Sequence, residues 1–365
     1  MADTRVASGL TVEQWDDKFF TEYLTENRFS GEMGMSESSI IQVKENLMKK
    51  PGDRVNFALV NKLTNSAITG RDTLEGNEED MASRSFEVAV TKRRNGVRVA
   101  EIDEQFSAIS LRNAAKSVLK DWSMKDTETL IIQALASKNG TKFADASETI
   151  RDAWLVDNAD RVYFASGYAG ADHSAGLTEQ DTTNDKLTAA DISAMKYKAL
   201  VTANPKVRPV RSESNGRHYF TLYCDPRVFR DLKQESSSPI IQAQREVNLE
   251  MENNRLFKGG DLLWDGVIIK EVHEMYSELG TPFANLGDAG TVEIGCAFLC
   301  GAQAVGAAYA KRWQSKQEVF DYGDKHGVAI EAIYGINKMQ FGSGTGDTDD
   351  LKDHGVITGY FATTN

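Results

Sequence analysis

The sequence predicts an α+β protein in which an extended β-ribbon leads into a long helix, and a compact mixed domain follows. Residues 97–139 are 43 consecutive residues without Gly or Pro, although the 365-residue chain contains 29 Gly and 6 Pro. Segments whose apolar residues alternate precede this stretch, and both alternating and helically spaced segments follow it. A period of two indicates strands and a spacing of three to four indicates helices.

The composition narrows the classes of function. Lys and Arg total 42 against 54 Asp and Glu, a net charge of -12, which disfavours polyanions as general ligands. The first residues lack the basic-then-apolar pattern of a signal peptide, so we expect a cytoplasmic protein. The most apolar run, residues 294–310, is too short and polar to span a membrane. Cys224, Cys296 and Cys300 form no paired C-x-x-C motifs, which predicts reduced, buried thiols.

The N-terminal segment predicts an amphipathic helix. Thr11-Val-Glu-Gln14 has the pattern of a capping box, and Trp15, Phe19 and Tyr23 follow at helical spacing. An aromatic stripe of this kind must be covered by apolar surface. The stripe could pack either on the core of this chain or on a neighbouring subunit.

Residues 52–102 predict a two-stranded ribbon with little core of its own. Residues 54–60 and 85–90 alternate as strands, and the polar segment 64–81 lies between them. Asn95-Gly96 is a strong hairpin signal. Lys92, Arg93 and Arg94 would then lie at the hairpin tip. They could form a nucleic-acid patch, a solvated tip or a contact to acidic neighbours.

The long helix is expected to run over residues 106–136, about 46 Å at 1.5 Å per residue. Its predicted buried face includes Phe106, Ala115 and Leu119. Residues 120–126 could kink it, because Ser123 can bond the backbone and Asp126 resembles a second N-cap. We favour a single unbroken helix.

The compact part mixes strands and helices. Thr188-Ala-Ala-Asp191 is a capping box that predicts a helix ending before Asn204-Pro205. Asp225-Pro226 and Ser238-Pro239 predict two further helix starts. Strands are expected at residues 154–164, 218–224, 262–272, 326–341 and 354–361, and residues 291–310 are expected to begin as strand and become helix.

No catalytic, cofactor or metal residues emerge from the motifs. His273-Glu274 lacks the second His of a zinc-protease helix. Residues 342–346 resemble a phosphate cradle but no Lys-Ser/Thr pair follows. Asp347, Asp349, Asp350 and Asp353 do not have EF-hand spacing. Glu75, Glu78 and Glu79 lack the apolar surroundings that would raise a pKa for acid/base work.

Several segments together resemble the major capsid proteins of tailed bacteriophages, in the branch typified by the coliphage N-four capsid protein. The most specific segment is Leu74-Glu-Gly-Asn-Glu-Glu79. The others, in the expected order, are Pro51-Gly-Asp-Arg-Val-Asn-Phe57, Leu111-Arg112 with Trp122, Tyr223-Cys-Asp-Pro-Arg-Val-Phe-Arg-Asp-Leu-Lys233, and Asp353-His-Gly-Val-Ile357.

The resemblance implies the tailed-phage and herpesvirus (Hong Kong phage-like) capsid fold. It places an N-terminal arm at residues 1–51, an extended loop at 52–102 and a peripheral domain with a spine helix at 103–184. An axial domain at 185–345 and a C-terminal return at 346–365 complete the chain. The implied function is a structural protein that self-assembles into hexamers and pentamers of an icosahedral shell.

The implied partners are further copies of this chain, a portal, and scaffolding or decoration proteins. The shell would enclose DNA without sequence-specific binding and would use no membrane and no cofactor. Assembly would take place in the host cytoplasm. The candidate subunit contacts are Trp15, Phe19, Tyr23, Leu74, Glu75, Glu78, Glu79, Lys92, Arg93 and Arg94.

Two other functions remain open on the residues alone. A soluble hydrolase could use Asp or Glu with one of the five scattered His residues. A nucleic-acid-binding protein could use the basic residues between Lys92 and Arg98.

Overall fold

The computed structural model describes most of the chain. The described residues are 28–45, 47, 52–60, 63, 65–71, 73–79, 83–107, 110–211, 218–234, 262–342 and 351–364. Within these ranges, none of the helices combines the length and apolarity that crossing a membrane requires.

Helices and strands are interspersed along the described chain. The helices are α1 (Glu101–Phe106), α2 (Leu111–Ala136), α3 (Glu148–Asp157), α4 (His173–Thr178), α5 (Ala189–Tyr197), α6 (Pro226–Gln234) and α7 (Glu274–Leu279). The strands are β1 (Met33–Gly34), β2 (Ile41–Lys44), β3 (Arg54–Val60), β4 (Ser83–Ala89), β5 (Thr91–Ala100), β6 (Val162–Phe164), β7 (Val210–Arg211), β8 (His218–Cys224), β9 (Leu262–Trp264), β10 (Val267–Glu271), β11 (Glu293–Cys300), β12 (Val305–Phe320), β13 (Lys325–Lys338), β14 (Gln340–Phe341), β15 (Lys352–Asp353) and β16 (Val356–Thr363).

The chain divides into two compact units. The first unit contains Lys92–Thr127 and Lys311–Ile333. The second unit contains Arg28–Thr91, Glu128–Ala310 and Tyr334–Asn365. The elements α2, β12 and β13 contribute residues to both units.

A mixed seven-stranded sheet forms the centre of the second unit. Its strand order is β6-β16-β11-β8-β10-β9, and β7 also pairs with β8. β11 lies antiparallel to both β16 and β8, whereas β10 lies parallel to β8. All eight residues of β16 are buried. A strand buried on both faces has a continuous rather than an alternating apolar pattern.

Helices cover this sheet with apolar side chains. Met195 of α5 and Phe229 of α6 pack in one cluster with Leu222, Leu299 and Phe361 of the sheet. α5 begins at the predicted capping box, in which Thr188 and Asp191 cap each other's backbone N–H groups. α6 begins after Asp225, whose carboxylate accepts the backbone N–H of Arg227. Both predicted helix starts are therefore confirmed.

The first unit is built from α1, the beginning of α2, β5 and the hairpin formed by β12 and β13. β13 lies between β12 and β5 in the sheet. Trp122 packs edge-to-face on Trp313, with ring centroids 5.7 Å apart. The described apolar side chains buried in this unit are few, namely Val99, Ala115, Leu119, Val328 and Ala332.

The long helix is present but begins later than expected. α1 ends at Phe106, which is 80% exposed, and α2 starts at Leu111. α2 then runs through residues 120–126 without a break. Ser123 donates to the carbonyl of Lys120 and Thr127 to that of Ser123, so both hydroxyls bond carbonyls within the helix. The expected buried role of Phe106 and the second N-cap at Asp126 are therefore wrong.

The hairpin predicted at Asn95-Gly96 is also wrong, because both residues lie inside β5. A Cβ atom on Gly96 would lie 3.1 Å from the Cβ of Ala329 and 3.3 Å from the carbonyl oxygen of Val328. Gly is therefore needed here for close approach to the neighbouring strand rather than for a turn. The ribbon is formed instead by β3 and β4.

Two other predictions fail for related reasons. Trp154, expected in a strand, lies on α3, and only β6 of that segment is a strand. Residues 305–310, expected to be helical, form the buried start of β12, which pairs in parallel with β2. At Gly306 an added Cβ would lie 3.2 Å from the side chains of Met339 and Phe57, so a small residue is needed there. The predicted helices after Thr11 and after Ser238-Pro239 lie outside the described residues.

Gly335→Ala tests close packing in the second unit. An added Cβ would overlap the carbonyl oxygen of Ala89, which is backbone and cannot rotate away. We expect the free energy of unfolding to fall by about 3 kcal/mol, the upper end of the usual overpacking range. Urea denaturation of the unassembled subunit measures this. Gly31→Ala is the control, because no atom lies within 4 Å of its added Cβ. Equal stability of the two variants would contradict the prediction.

Candidate intersubunit surfaces

The ribbon belongs to the second unit, and its base packs on other residues of that unit. β3 and β4 pair antiparallel from Arg54↔Ala89 to Val60↔Ser83. Val55, Phe57 and Val88 point to one face and are buried with Met339 and Phe341. The ribbon therefore has a small core at its base, which the sequence did not indicate because the covering residues lie far along the chain.

The far end of the ribbon is exposed. Val60 and Leu63 are more than half exposed, and Leu74 is 62% exposed. Apolar side chains in such positions contact water unless another molecule covers them. The exposed Leu74 agrees with its choice as a contact candidate, although the contact itself stays a prediction.

A tight turn holds the acidic residues next to Leu74. Asn77 donates its backbone N–H to the carbonyl of Leu74 at 3.0 Å, and Gly76 has φ of 86°. That positive φ is what a turn of this type requires at its third residue, so Gly is needed there. Glu78 accepts the backbone N–H of Gly76 at 2.7 Å.

The acidic side chains remain largely available around this turn. Glu75 and Glu78 are exposed, and Glu79 is half-buried. Glu79 accepts the backbone N–H of Asn65 at 2.7 Å, which ties the loop to itself. We call residues 74–79 the acidic loop. Its backbone is ordered by internal hydrogen bonds, and the side chains of Glu75 and Glu78 are exposed.

The basic residues 92–94 lie at the start of β5 rather than at a hairpin tip. Arg93 binds Asp126 of α2 with two hydrogen bonds, one of them 2.6 Å from Nε to Oδ2. Lys92 pairs with Glu331 at 3.1 Å. Arg94 is exposed. Two of the three candidates are therefore joined to carboxylates of their own unit, and sequence could not show this because those partners are distant along the chain.

Glu331 is the centre of a charge cluster in the first unit. It binds the ammonium groups of Lys311, Lys316 and Lys92, with Lys316 at 2.6 Å. These three groups, Lys311 first, hold the pKa of the Glu331 carboxyl well below its usual range. Three ammonium groups therefore share one carboxylate, and the cluster has a net positive charge.

The other contact candidates, Trp15, Phe19 and Tyr23, lie outside the described residues. The stripe that they form stays a prediction.

A buried polar network in the second unit is the arrangement most like a catalytic site. Asp353 pairs with Lys338 at 2.7 Å and accepts hydrogen bonds from Trp154 and Gln340. Its backbone N–H donates to the side-chain oxygen of Asn158 at 2.8 Å. From the sequence, Asp353 stood out only in an acidic group without EF-hand spacing and in a short motif, because its partners come from three other segments.

Lys138 forms the second half of this network. Its Nζ donates to the hydroxyl of Tyr360 at 2.6 Å and lies 3.3 Å from the ring centroid of Trp154. Burial lowers the pKa of Lys138 and of His173, and it raises the pKa of Tyr360. All of these side chains are enclosed, so a substrate has no route to them. The network therefore joins helices to the sheet rather than performing catalysis.

The described residues offer one candidate group of metal ligands. Glu148, Asp152 and Asp172 bring their carboxylate oxygens within 4.8 Å of one another. Asp172, however, caps α4 by accepting the backbone N–H of Ala175, and Asp152 accepts that of His173. These roles explain the cluster, and we assign no metal to it.

Asp353→Asn tests the network. The substitution leaves the buried ammonium of Lys338 without its counter-charge, which typically costs 3–5 kcal/mol. We expect urea denaturation of the unassembled subunit to show a loss of about that size. Adding Lys338→Met should restore at least half of it, because the unpaired charge is then removed. A double variant no more stable than Asp353→Asn would contradict this role.

Glu128 of α2 is a second buried acidic group. It is 1% exposed, and its Oε2 has no hydrogen-bond partner among the described residues. Burial, and then the carboxylate of Glu274, raise the pKa of the Glu128 carboxyl to about 7. Between about pH 4.5, the pKa of this carboxyl in the unfolded chain, and pH 7, the Glu128 carboxyl is protonated in the folded protein and ionised in the unfolded one. Stability from this group falls as the pH rises through that window.

Glu128→Gln should remove this pH dependence. At pH 8 the variant should exceed the wild type in free energy of unfolding by about 3 kcal/mol, because it buries no charge. Below pH 4.5 the two should be equal. Urea denaturation across this pH range measures the difference. The exposed Glu148→Gln serves as the control and should show no gain. An equal gain at every pH would contradict the prediction.

Comparisons with known proteins extend over the whole chain. A family model described as phage capsid protein matches residues 3–364. The major capsid protein of Pseudomonas phage KPP25 is 28% identical over 374 aligned residues, which cover 97% of this chain and 96% of that protein.

Solved structures give the same result. The chain matches the Cyanophage Pam1 capsid asymmetric unit with a TM-score of 0.87 and 32% identity, covering 100% of this chain and 99% of that one. It matches the capsid of Ralstonia phage GP4 with a TM-score of 0.78 and 21% identity, with the same coverage. The second match shows the fold alone.

Proposed function

The chain belongs to the phage capsid protein family, and on that premise we propose that it is a major capsid protein. Its copies assemble into hexamers and pentamers, which form the icosahedral shell around the phage genome. The observation that carries this is the match to a phage capsid subunit along the entire chain at 32% identity. The α+β capsid fold predicted from the sequence is confirmed. The protein is a structural component of the virion and not an enzyme.

The geometry of the subunit agrees with this function. The ribbon packs at its base and leaves Leu74 and Leu63 exposed at its far end. The first unit leaves Ile102, Phe106 and Tyr322 exposed. A shell protein has such surfaces because neighbouring copies cover them, as in obligate assemblies.

Several finer points extend the proposal. The order of the motifs from Pro51 to Ile357 favours the branch typified by the coliphage N-four capsid protein. We propose the arm at residues 1–51, the extended loop at 52–102, the peripheral domain at 103–184, the axial domain at 185–345 and the return at 346–365. The β3–β4 pair within 52–102 and α2 within 103–184 support the second and third of these ranges.

The contact candidates belong to this proposal. The arm would lap onto a neighbour through Trp15, Phe19 and Tyr23, and the ribbon would do so through the acidic loop. Lys92 and Arg93 serve their own unit through Glu331 and Asp126, which leaves Arg94 as the candidate for an external contact.

We also propose the wider set of partners. The partners would be a portal and scaffolding or decoration proteins, and assembly would take place in the host cytoplasm. The shell would enclose DNA without reading its sequence. The net charge of -12 supports this, because weak phosphate contacts allow release of the genome.

Removing residues 64–81 and joining the flanking strands by a short Gly-Ser turn tests the ribbon. We expect a folded, soluble subunit, because the packed base of β3 and β4 remains, but no closed shells. Circular dichroism checks folding and negative-stain electron microscopy checks assembly. Shells of normal diameter from the shortened chain would show that this segment is not an intersubunit lap.

A further inference from the structure

A buried histidine begins helix α4. His173 is the first residue of α4, and its side chain is 0% exposed. Among residues 166–179, only His173, Gly176 and Leu177 are buried, and the other residues are exposed or half-buried. We call residues 166–179 the α4 segment. Three buried residues therefore hold this segment on the second unit, and a helix of six residues has little stability of its own.

Both ends of the α4 segment are attached to the second unit by other contacts. Before the segment, Phe164 lies in β6, which pairs with β16. After the segment, Gln180 is 0% exposed, and its carbonyl oxygen accepts the backbone N–H of Asp288 at 3.0 Å. The α4 segment can therefore move away from the unit between these two points while the sheet stays paired.

Aromatic rings enclose the imidazole of His173. Four ring centroids lie within 6.1 Å of the imidazole centroid, those of Phe143, Trp154, Phe164 and Tyr360. Aromatic faces can stabilise a cation, but two of these rings already face a basic group. Lys138 Nζ lies 3.3 Å from the centroid of Trp154, and the Arg151 guanidinium lies 4.8 Å from that of Phe143. A charged imidazole in this enclosure would therefore face a lysine and an arginine.

The hydrogen bonds of His173 do not accommodate a second ring proton. Lys138 Nζ donates to the hydroxyl of Tyr360 at 2.6 Å, so this hydroxyl can donate its own hydrogen to Nε2 of His173, 3.1 Å away. Nδ1 of His173 is buried and has no hydrogen-bond partner among the described residues. Protons on both ring nitrogens would leave at least one N–H or O–H group without an acceptor, which is costly in the interior.

Two carboxylates flank the backbone of His173 but do not neutralise its ring. Asp152 of α3 accepts the backbone N–H of His173 at 2.8 Å, and Asp172 caps α4 through another backbone N–H. Glu148 of α3 lies beside them, with its carboxylate within 4.8 Å of theirs. In the described part of the chain, none of the three forms a hydrogen bond or ion pair with the imidazole.

The enclosure therefore favours the neutral imidazole. Burial first, and then the positive charges of Lys138 and Arg151, hold the pKa of His173 well below its ordinary value of 6.5. An imidazole in water titrates near that ordinary value, within the range where histidine acts as a pH sensor. A proton that His173 does not bind inside the enclosure can thus be bound once the ring reaches water.

We propose that the α4 segment opens in acid and that His173 controls the opening. The imidazole binds a proton by leaving the aromatic enclosure, and Gly176 and Leu177 leave their buried positions with it. The rest of the subunit stays folded, because Phe164 and Gln180 remain attached on either side. In a shell every copy would loosen at the same place. The opening is nevertheless a property of the single chain and does not depend on the proposed function.

Proton uptake sets the direction and the size of the pH effect. Below about pH 6.5 the open form binds one proton more at His173 than the closed form does. The open fraction should therefore rise about tenfold for each pH unit below 6.5, until the closed form is itself protonated. Above 6.5 the imidazole is neutral in both forms, so His173 should contribute no pH dependence there.

Hydrogen–deuterium exchange of the unassembled subunit from about pH 7.5 to about pH 5 measures the opening. The quantity compared is the protection factor, the intrinsic exchange rate of an amide divided by its measured rate, which removes the direct effect of pH on exchange. The hydrogen-bonded amides of Gly176 and Glu179 should lose protection about tenfold per pH unit below 6.5. The amides of α5 should keep theirs, which distinguishes local opening from unfolding.

His173→Gln is the matched variant. Glutamine can accept a hydrogen bond from Tyr360 but binds no proton in this pH range. The α4 segment of this variant should therefore show the same protection at every pH. His218→Gln is the control, because His218 is exposed, and it should behave as the wild type does. Circular dichroism confirms that each variant is folded.

Three results would overturn the proposal. Constant protection of the α4 segment in the wild type would mean that it does not open in acid. An equal loss of protection in His173→Gln would assign the proton to another group. An equal loss in α5 would mean that the subunit unfolds as a whole. If His173→Gln does not fold, the comparison of the α4 segment with α5 in the wild type decides.

Discussion

The small number of buried apolar side chains in the first unit is the physical constraint on which the rest of the structure depends. Among its described residues only Val99, Ala115, Leu119, Val328 and Ala332 are buried apolar side chains. Phe106, Ile102 and Tyr322 are exposed instead. Hydrophobic burial is the main favourable term in folding, so a unit with so little of it gains stability from surfaces outside itself. In a shell those surfaces belong to further copies of the same chain.

The second unit supplies the rigidity that such a subunit needs. Strand β16 of its sheet is buried along its whole length, and Asp353, Lys338 and Lys138 join helices to the sheet through paired polar groups. Buried pairs add little net stability compared with an apolar core, yet each one admits few alternative arrangements. The ribbon base formed by Val55 and Phe57 then fixes where the ribbon leaves this rigid part.

Local signals predicted the elements that local chemistry determines. The alternation of apolar residues predicted β3, the capping box at Thr188 predicted the start of α5, and Asp225 predicted the start of α6. Distant contacts decided the rest. Asn95-Gly96 joins a strand because Ala329 packs on it, and Trp154 lies on a helix because its indole reaches Asp353. The exposure of the acidic loop was predictable from its composition, whereas the pairing of Lys92 with Glu331 was not, since the partners lie more than two hundred residues apart.

The central claim is that this chain is incomplete alone and complete in a shell of its own copies. Negative-stain electron microscopy of the purified full-length protein across a dilution series tests it most directly, together with sedimentation velocity on the same samples. We predict capsomer rings and closed shells of uniform diameter at high concentration, which dissociate on dilution. A stable monomer or dimer at every concentration, with no larger species, would contradict it.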